Sequence, residues 1–216
     1  CHTHPAVSGG RGLVMASPAS LLLLLFVSFP FFSSSSEEEF FPPIAQGLSW
    51  TFYWSSCPQL EVVVRDYLSR AFQRDPGLAA GLLRLHFHDC FVQGCDGSVL
   101  LDGSAGGPSE KTATPNLTLR PAAFAAISEL RDLLERACGR VVSCADIAAR
   151  DAVFLTGGPP YPVPLGRRDG LTFATSDTTL AFLPPPSSNT TALIASFAKV
   201  NLDLTDLVAL SGAHTI

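Results

Sequence analysis

An all-α fold is what the sequence predicts, and three observations predict it. Apolar residues recur at three-and-four spacing through several separate segments, the alternation of strands is absent, and prolines and glycines punctuate the intervals between the periodic runs. With 47% hydrophobic residues in a chain of 216, there is ample material for one core or two closely packed lobes. A net charge of -5 gives no basic face for nucleic acid or an anionic membrane, so a small or neutral partner fits better.

Residues 1–14 show no periodicity and precede Met15, the only methionine, and we read them, His2 and His4 included, as an upstream extension outside the native protein. Residues 15–45 read as a signal peptide and leader. The apolar run Leu21 to Phe32 has the length of a signal core and falls short of the roughly 20 residues that span a bilayer. Cleavage is expected near the serines at 33–36 or after Ala45. Secretion into an oxidising compartment would suit six cysteines, five of them between Cys57 and Cys144. The folded domain is then 46–216.

The first helix is carried by Leu60, Val63, Val64, Tyr67, Leu68, Ala71 and Phe72, with Pro58 suited to its first turn. A second is expected to start at Asp75 and Pro76, as cap and first-turn residue, and to run through Leu82, Leu83 and Leu85 to His88. The Gly- and Ser-rich stretch from Asp102 to Pro115 reads as a loop. Phe124, Ile127, Leu130 and Leu134 define a third helix from Pro121, and the capping-box spacing of Ser143 and Asp146 announces a fourth. Prolines exclude regular structure from Gly157 to Gly170 and make Phe182 to Pro186 an extended crossing. Two last helices lie around Leu193 to Val200 and Thr205 to Leu210.

The chemistry concentrates in RLHFHDCFVQGCDGSVLL, Arg84 to Leu101. Arg84 and His88 stand four apart and share one helical face, so a cation and a titratable imidazole point into the same space. His86, two residues from His88, points away from that face and reads as a packed histidine. The loop bracketed by Cys90 and Cys95 adds Asp96, Ser98 and two glycines, the composition of a tightly turned oxygen cage for a hard cation.

This segment resembles the distal-haem signature of the secreted plant (class III) haem peroxidases, and LVALSGAHTI, ending the chain, resembles their proximal-haem signature. The resemblance covers about Gln46 to Ile216. It implies the helical peroxidase fold, haem b held between distal and proximal lobes, and two calcium ions. The implied reaction reduces hydrogen peroxide and oxidises small phenolic donors by one-electron steps. It further implies a monomer with neither nucleic acid nor membrane as partner, located outside the cell, in the wall, or in the vacuole.

Residue by residue, the resemblance makes His88 the acid–base, Arg84 the cationic donor, and Asn116 the acceptor for the second ring proton of His88. Phe87 becomes an aromatic of the distal pocket and His214 the axial iron ligand. Asp89, Val92, Gly94, Asp96 and Ser98, with Glu110 through water, match the distal calcium site, and Thr215 the first ligand of the proximal one. Cys57 pairs with Cys138 and Cys90 with Cys95, Asp146 with Arg167, and Pro184 lies at the donor edge. Of two N-x-T sequons, Asn189 is the better glycan site, since Asn116 is taken by its histidine.

Two departures stand out. The chain stops two residues after His214, which removes the carboxylate partner of that histidine, the other proximal calcium ligands, the partner of Cys144, and helices over the proximal face. Cys144 is therefore expected to be an unpaired thiol unless Cys1 reaches it. CADIAARDAV, Cys144 to Val153, is three residues shorter than the family stretch, so helix phase slips by about 60° beyond it. One alternative reading is an inactive calcium-binding fragment. Another, a zinc hydrolase on His86, His88, Asp89 and Cys90, ranks last because neighbouring helical residues do not converge on one ion.

Overall fold

Around the stretch that carries Arg84 and His88, the chain builds two helical layers. The computed structural model describes residues 43–216 apart from 104–106, 151–156, 158–160 and 216, so the expected extension and leader fall outside the described residues up to residue 42. The chain divides into a unit from Ile44 onward and a second, His4–Pro43, of which only Pro43 is described. Seven α-helices are present among the described residues: α1 (Leu60–Arg74), α2 (Gly77–Cys90), α3 (Pro121–Cys138), α4 (Cys144–Ala148), α5 (Ser176–Phe182), α6 (Thr190–Ala198) and α7 (Leu204–Ser211). Short 3-10 turns cover Ser98–Leu100, Glu110–Thr112, Thr114–Asn116 and Gly212–Thr215. The sole strand-like pairing among the described residues is one antiparallel bridge, Ser49 with Leu165.

Helices α1, α2 and α3 pack on one another and receive α4. Their inward stripes, Leu60, Val64 and Leu68 from α1, Leu78, Leu82 and Leu85 from α2, and Ile127, Leu130 and Leu134 from α3, make one core. At about 1.5–3 kcal/mol for each fully buried leucine or valine, this stripe-on-stripe contact holds α2 at a fixed angle. A second cluster joins Phe91 and Val92, just past α2, to Ala174, Leu183, Phe197 and Leu207 beneath α5, α6 and α7. Phe91 meets Phe87 at a tilt, with ring centroids 4.4 Å apart, and Phe197 edge-on at 4.9 Å. The end of α2 is thus clamped between both clusters. On α7 only Leu207 is buried, and Leu204, Val208 and Leu210 face outward.

Several expectations are corrected in detail. Asp75 does not cap α2: its carboxylate is bonded at 2.8 Å by the Arg120 guanidinium, and Pro76 occupies the cap position without a side-chain bond. Ser143 does cap α4 by accepting from the Asp146 N–H, but the Asp146 carboxylate does not close the box. It is bonded instead by the Tyr53 hydroxyl at 2.8 Å, the Gly166 N–H at 2.8 Å, and the backbone and guanidinium of Arg167 at 3.2 and 3.0 Å. The buried pull of these four donors outweighs a local cap. Helix α5 has no sequence counterpart in the apolar spacing; Thr175 starts it by accepting from Thr178 N–H. A capping box does close at α7, between Asp203 and Asp206.

Cys57 and Cys138 are disulfide-bonded, as are Cys90 and Cys95. Cys144 is disulfide-bonded too, so the unpaired thiol expected in the absence of a partner is not what forms. The consequence of the three-residue shortening beyond Ala148 falls on 151–156, outside the described residues. No helix among the described residues is long and apolar enough to cross a membrane.

Because Asp146 is 1% exposed and bonded on both oxygens, Asp146→Ala leaves the Arg167 cation without its partner. Urea unfolding with disulfides intact is expected to register a loss of about 3–5 kcal/mol, against about 1–2 kcal/mol for Tyr53→Phe. Equal small losses would show that the network is not what joins 164–167 to α4.

Candidate active site and cation loop

His88 emerges from the last turn of α2 and is 5% exposed. Its Nδ1 lies 2.6 Å from Asn116 Oδ1, and the Asn116 amide nitrogen donates to the Glu110 carbonyl at 2.9 Å. The second bond orients the amide, so its oxygen faces the imidazole and Nδ1 must carry the proton. The lone pair is therefore on Nε2. Burial pushes the pKa of His88 below the ordinary histidine value, the Asn116 bond opposes this, and the Arg84 cation adds to it. A neutral imidazole with a pinned ring is a base ready to accept. The Phe87 ring stands edge-on to His88 at 5.3 Å, closing one side.

Arg84 shares the His88 face, yet its head is not free. The guanidinium donates to the Thr118 carbonyl at 2.7 Å, the Thr118 hydroxyl at 2.8 Å and the Pro115 carbonyl at 3.3 Å. One short loop, 115–118, therefore holds both members of the pair. Thr118 was missed as a positioning residue; the only sequence signal on it was the sequon beginning at Asn116. That sequon is closed by folding, since Asn116 is 3% exposed with both amide atoms engaged. Asn189 is exposed and caps α6 through Ala192 N–H.

Beyond α2 the chain turns back over its own end. Gly97 takes φ +72, a left-handed conformation open to glycine, and aims its N–H at Asp89 Oδ2, 2.9 Å away. Asp96 Oδ1 accepts Ser98 N–H at 3.0 Å. Glu110 Oε1 accepts Ala174 N–H at 2.6 Å, while Glu110 Oε2 and the Ser98 hydroxyl, both buried, complete no hydrogen bond even though Ser98 lies near enough to lower the pKa of Glu110. Gly170 was also missed: a Cβ there would come within 2.4 Å of Asp96 Oδ2, so only glycine lets the carboxylate sit where it does.

Three buried or half-buried carboxylates and an orphaned hydroxyl form a site short of positive charge. Desolvation, with the Asp96 and Glu110 carboxylates adding to it, drives the pKa of Asp89 from its ordinary 3.8 to about 7, although Gly97 and Val99 N–H pull it down. Burial likewise raises Glu110. The donor set, all oxygen and hard, fits calcium. Asp89, in the last turn of α2, and Asp96 and Ser98 flank the turn that carries the Val92 and Gly94 carbonyls.

His214 is exposed, in the 3-10 turn Gly212–Thr215 that packs on α2, so both histidine segments are brought together. Its Nδ1 donates to the Ser211 carbonyl at 3.1 Å, which leaves the Nε2 lone pair for a metal. Each histidine thus keeps its Nε2 lone pair, the donor atom that haem chemistry would draw on. Thr215 Oγ1 donates to the Gly212 carbonyl, apart from the acidic loop. Pro184, half-buried, follows the buried Leu183. His86 does not join His88; burial, with the Arg167 cation adding to it, lowers its pKa to about 4.

A profile of the peroxidase family matches residues 64–216. Peroxidase 12 of Arabidopsis thaliana is 61% identical over 177 residues, 81% of this chain and 49% of the relative. Cationic peroxidase SPC4 of Sorghum bicolor is 62% identical over 179 residues, with the same shares. Peroxidase 47 of Arabidopsis thaliana aligns over 94% of this chain at 44% identity. The chain spans about half the length of the first two of these relatives.

The Asp89 shift sets a pH dependence. A carboxyl raised from 3.8 to about 7 leaves the folded, metal-free chain binding more protons than the unfolded one, so stability falls as pH rises through that window. Calcium needs the carboxylate and removes the penalty. Melting temperature in chelator is expected to fall from pH 5 to pH 8, and the calcium-induced rise to be small at pH 5 and largest at pH 8. A calcium effect equal at both values would refute a buried acidic ligand.

Proposed function

Since the chain belongs to the peroxidase family, we propose that it is part of a haem-dependent peroxidase, reducing hydrogen peroxide and oxidising small phenolic donors. The observation that carries this reading is the His88–Asn116 bond of 2.6 Å, which leaves a buried neutral imidazole with its lone pair outward. Haem, when bound, supplies an iron through which peroxide takes two electrons and donors return them singly.

The chain's own residues do the rest. His88 Nε2 takes a proton from hydrogen peroxide and returns it to the departing oxygen as water leaves. Asn116 Oδ1 holds the Nδ1 proton, so the ring cannot change tautomer in mid-transfer. Arg84 supplies positive charge for the oxygen that becomes more negative, and the 115–118 carbonyls that hold it supply its resting position. His214 is the proposed iron ligand, its ring oriented by Ser211, and Phe87 the aromatic against the macrocycle.

The loop of Asp89, Val92, Gly94, Asp96 and Ser98, with Glu110 behind it, is the proposed calcium site, and Thr215 the start of a second. Calcium there would set the reactive histidine too, because Asp89 is its neighbour and the Glu110 carbonyl orients Asn116. Pro184 is proposed for the donor edge, Asn189 for a glycan. Secretion to the wall or vacuole, as a monomer, suits the apolar run and the disulfides. A second reading, an inactive calcium-binding fragment, draws support from the exposure of His214.

The deciding experiment is the visible spectrum of the chain, refolded oxidatively with calcium and haemin, before and after hydrogen peroxide. A sharp haem-protein band that shifts on peroxide is expected, whereas the spectrum of free haemin would favour the fragment. In a haem-loaded chain, His88→Ala and Arg84→Leu should each slow the peroxide step by about 10²–10⁴-fold, read by stopped flow. Unchanged rates would remove both from the mechanism.

A further inference from the structure

One cluster of ligating side chains takes part in neither the peroxide chemistry nor the oxygen set proposed for calcium, although two of its members bracket the calcium loop. His86 precedes Cys90 by one helical turn on α2, so imidazole and sulfur share a face, with Cys90 Sγ 3.5 Å from Nε2 and 3.6 Å from Nδ1. The Cys90–Cys95 bond brings a second sulfur to the same point, and one ligand atom from each of the three residues lies within 4.8 Å of the others. All three residues are half-buried, and among the described residues they form the only such group of three or more histidine, cysteine or acidic side chains.

As a disulfide the two sulfurs are neutral and poor ligands. As thiolates they would form, with His86, a nitrogen–sulfur set on H-x3-C-x4-C spacing, which suits a borderline-soft divalent ion of the zinc class. We propose that His86, Cys90 and Cys95 are a redox-gated zinc-type site, open when a dithiol reduces the bridge and closed when it re-forms. The chemistry balances. A thiolate of the dithiol attacks one cysteine sulfur and expels the other as a thiolate. The second thiol of the reductant then attacks its own sulfur in the mixed disulfide and releases the first cysteine, so the products, after proton uptake, are two cysteine thiols and the reductant's disulfide.

The ion then displaces one proton from each thiol and takes a ring nitrogen of neutral His86, leaving a fourth position for water. Two thiolates cancel the charge of the dication, which suits a half-buried place beside the Arg167 cation that acts on His86. The ion closes the same loop the disulfide closes. This site differs from a hydrolase built on adjacent residues, since His88 and Asp89 face elsewhere, and it does not depend on haem binding.

The test uses the full chain, reduced under anaerobic conditions and titrated with cobalt(II). One equivalent should give thiolate-to-cobalt charge-transfer and tetrahedral visible bands, absent before reduction, lost in Cys95→Ser and at least about tenfold weaker in affinity in His86→Ala. Because reduction also opens Cys57–Cys138 and the bridge of Cys144, alkylation of the reduced wild-type chain with and without zinc, mapped by mass spectrometry, reads the site directly. Protection confined to Cys90 and Cys95 is the expected result. Protection absent, or shared equally with Cys57, Cys138 and Cys144, or a cobalt affinity unchanged in His86→Ala, overturns the proposal.

Discussion

The Asn116 amide is the hinge of this molecule. One side chain, 3% exposed, accepts from His88 and donates to the Glu110 carbonyl, so it joins the end of α2 to the turn that backs the acidic loop. A buried amide with one end unsatisfied would cost about 1–3 kcal/mol, which makes the pair of bonds all-or-none. The tautomer of the histidine is a consequence of that pairing. So is the position of Arg84, whose guanidinium is bound by the same four-residue loop.

Next to this hinge sits a deliberate electrostatic deficit. Asp89 immediately follows His88, and with Asp96 and Glu110 it concentrates negative charge where water is excluded. Such a cluster is tolerable only protonated or with a cation. The orphaned oxygens of Ser98 and Glu110 point to the second solution. Stability and reactivity therefore share parts: what occupies the loop also sets the segment that carries the base.

Much of this was legible beforehand because it is local. Helices α1, α2 and α3 follow from apolar spacing, and the facing of Arg84 and His88 follows from a four-residue interval. Where the reading failed, long-range partners had won. Asp75 went to Arg120 and the Asp146 carboxylate to Tyr53, Gly166 and Arg167, because a charge-assisted bond to a distant donor outweighs a local cap. Helix α5 escaped notice since it is short and buries only Thr179.

By itself, then, the sequence determined the helical class, the residue types at the reactive face, and the oxygen-rich loop, all of which depend on neighbours within a turn or two. Only the tertiary structure decided that Arg84 rests on Thr118 and that Gly170 must lack a Cβ for Asp96 to fit. Those contacts join residues from separate elements, and side-chain packing across the core sets their distances. Periodicity carries no record of them.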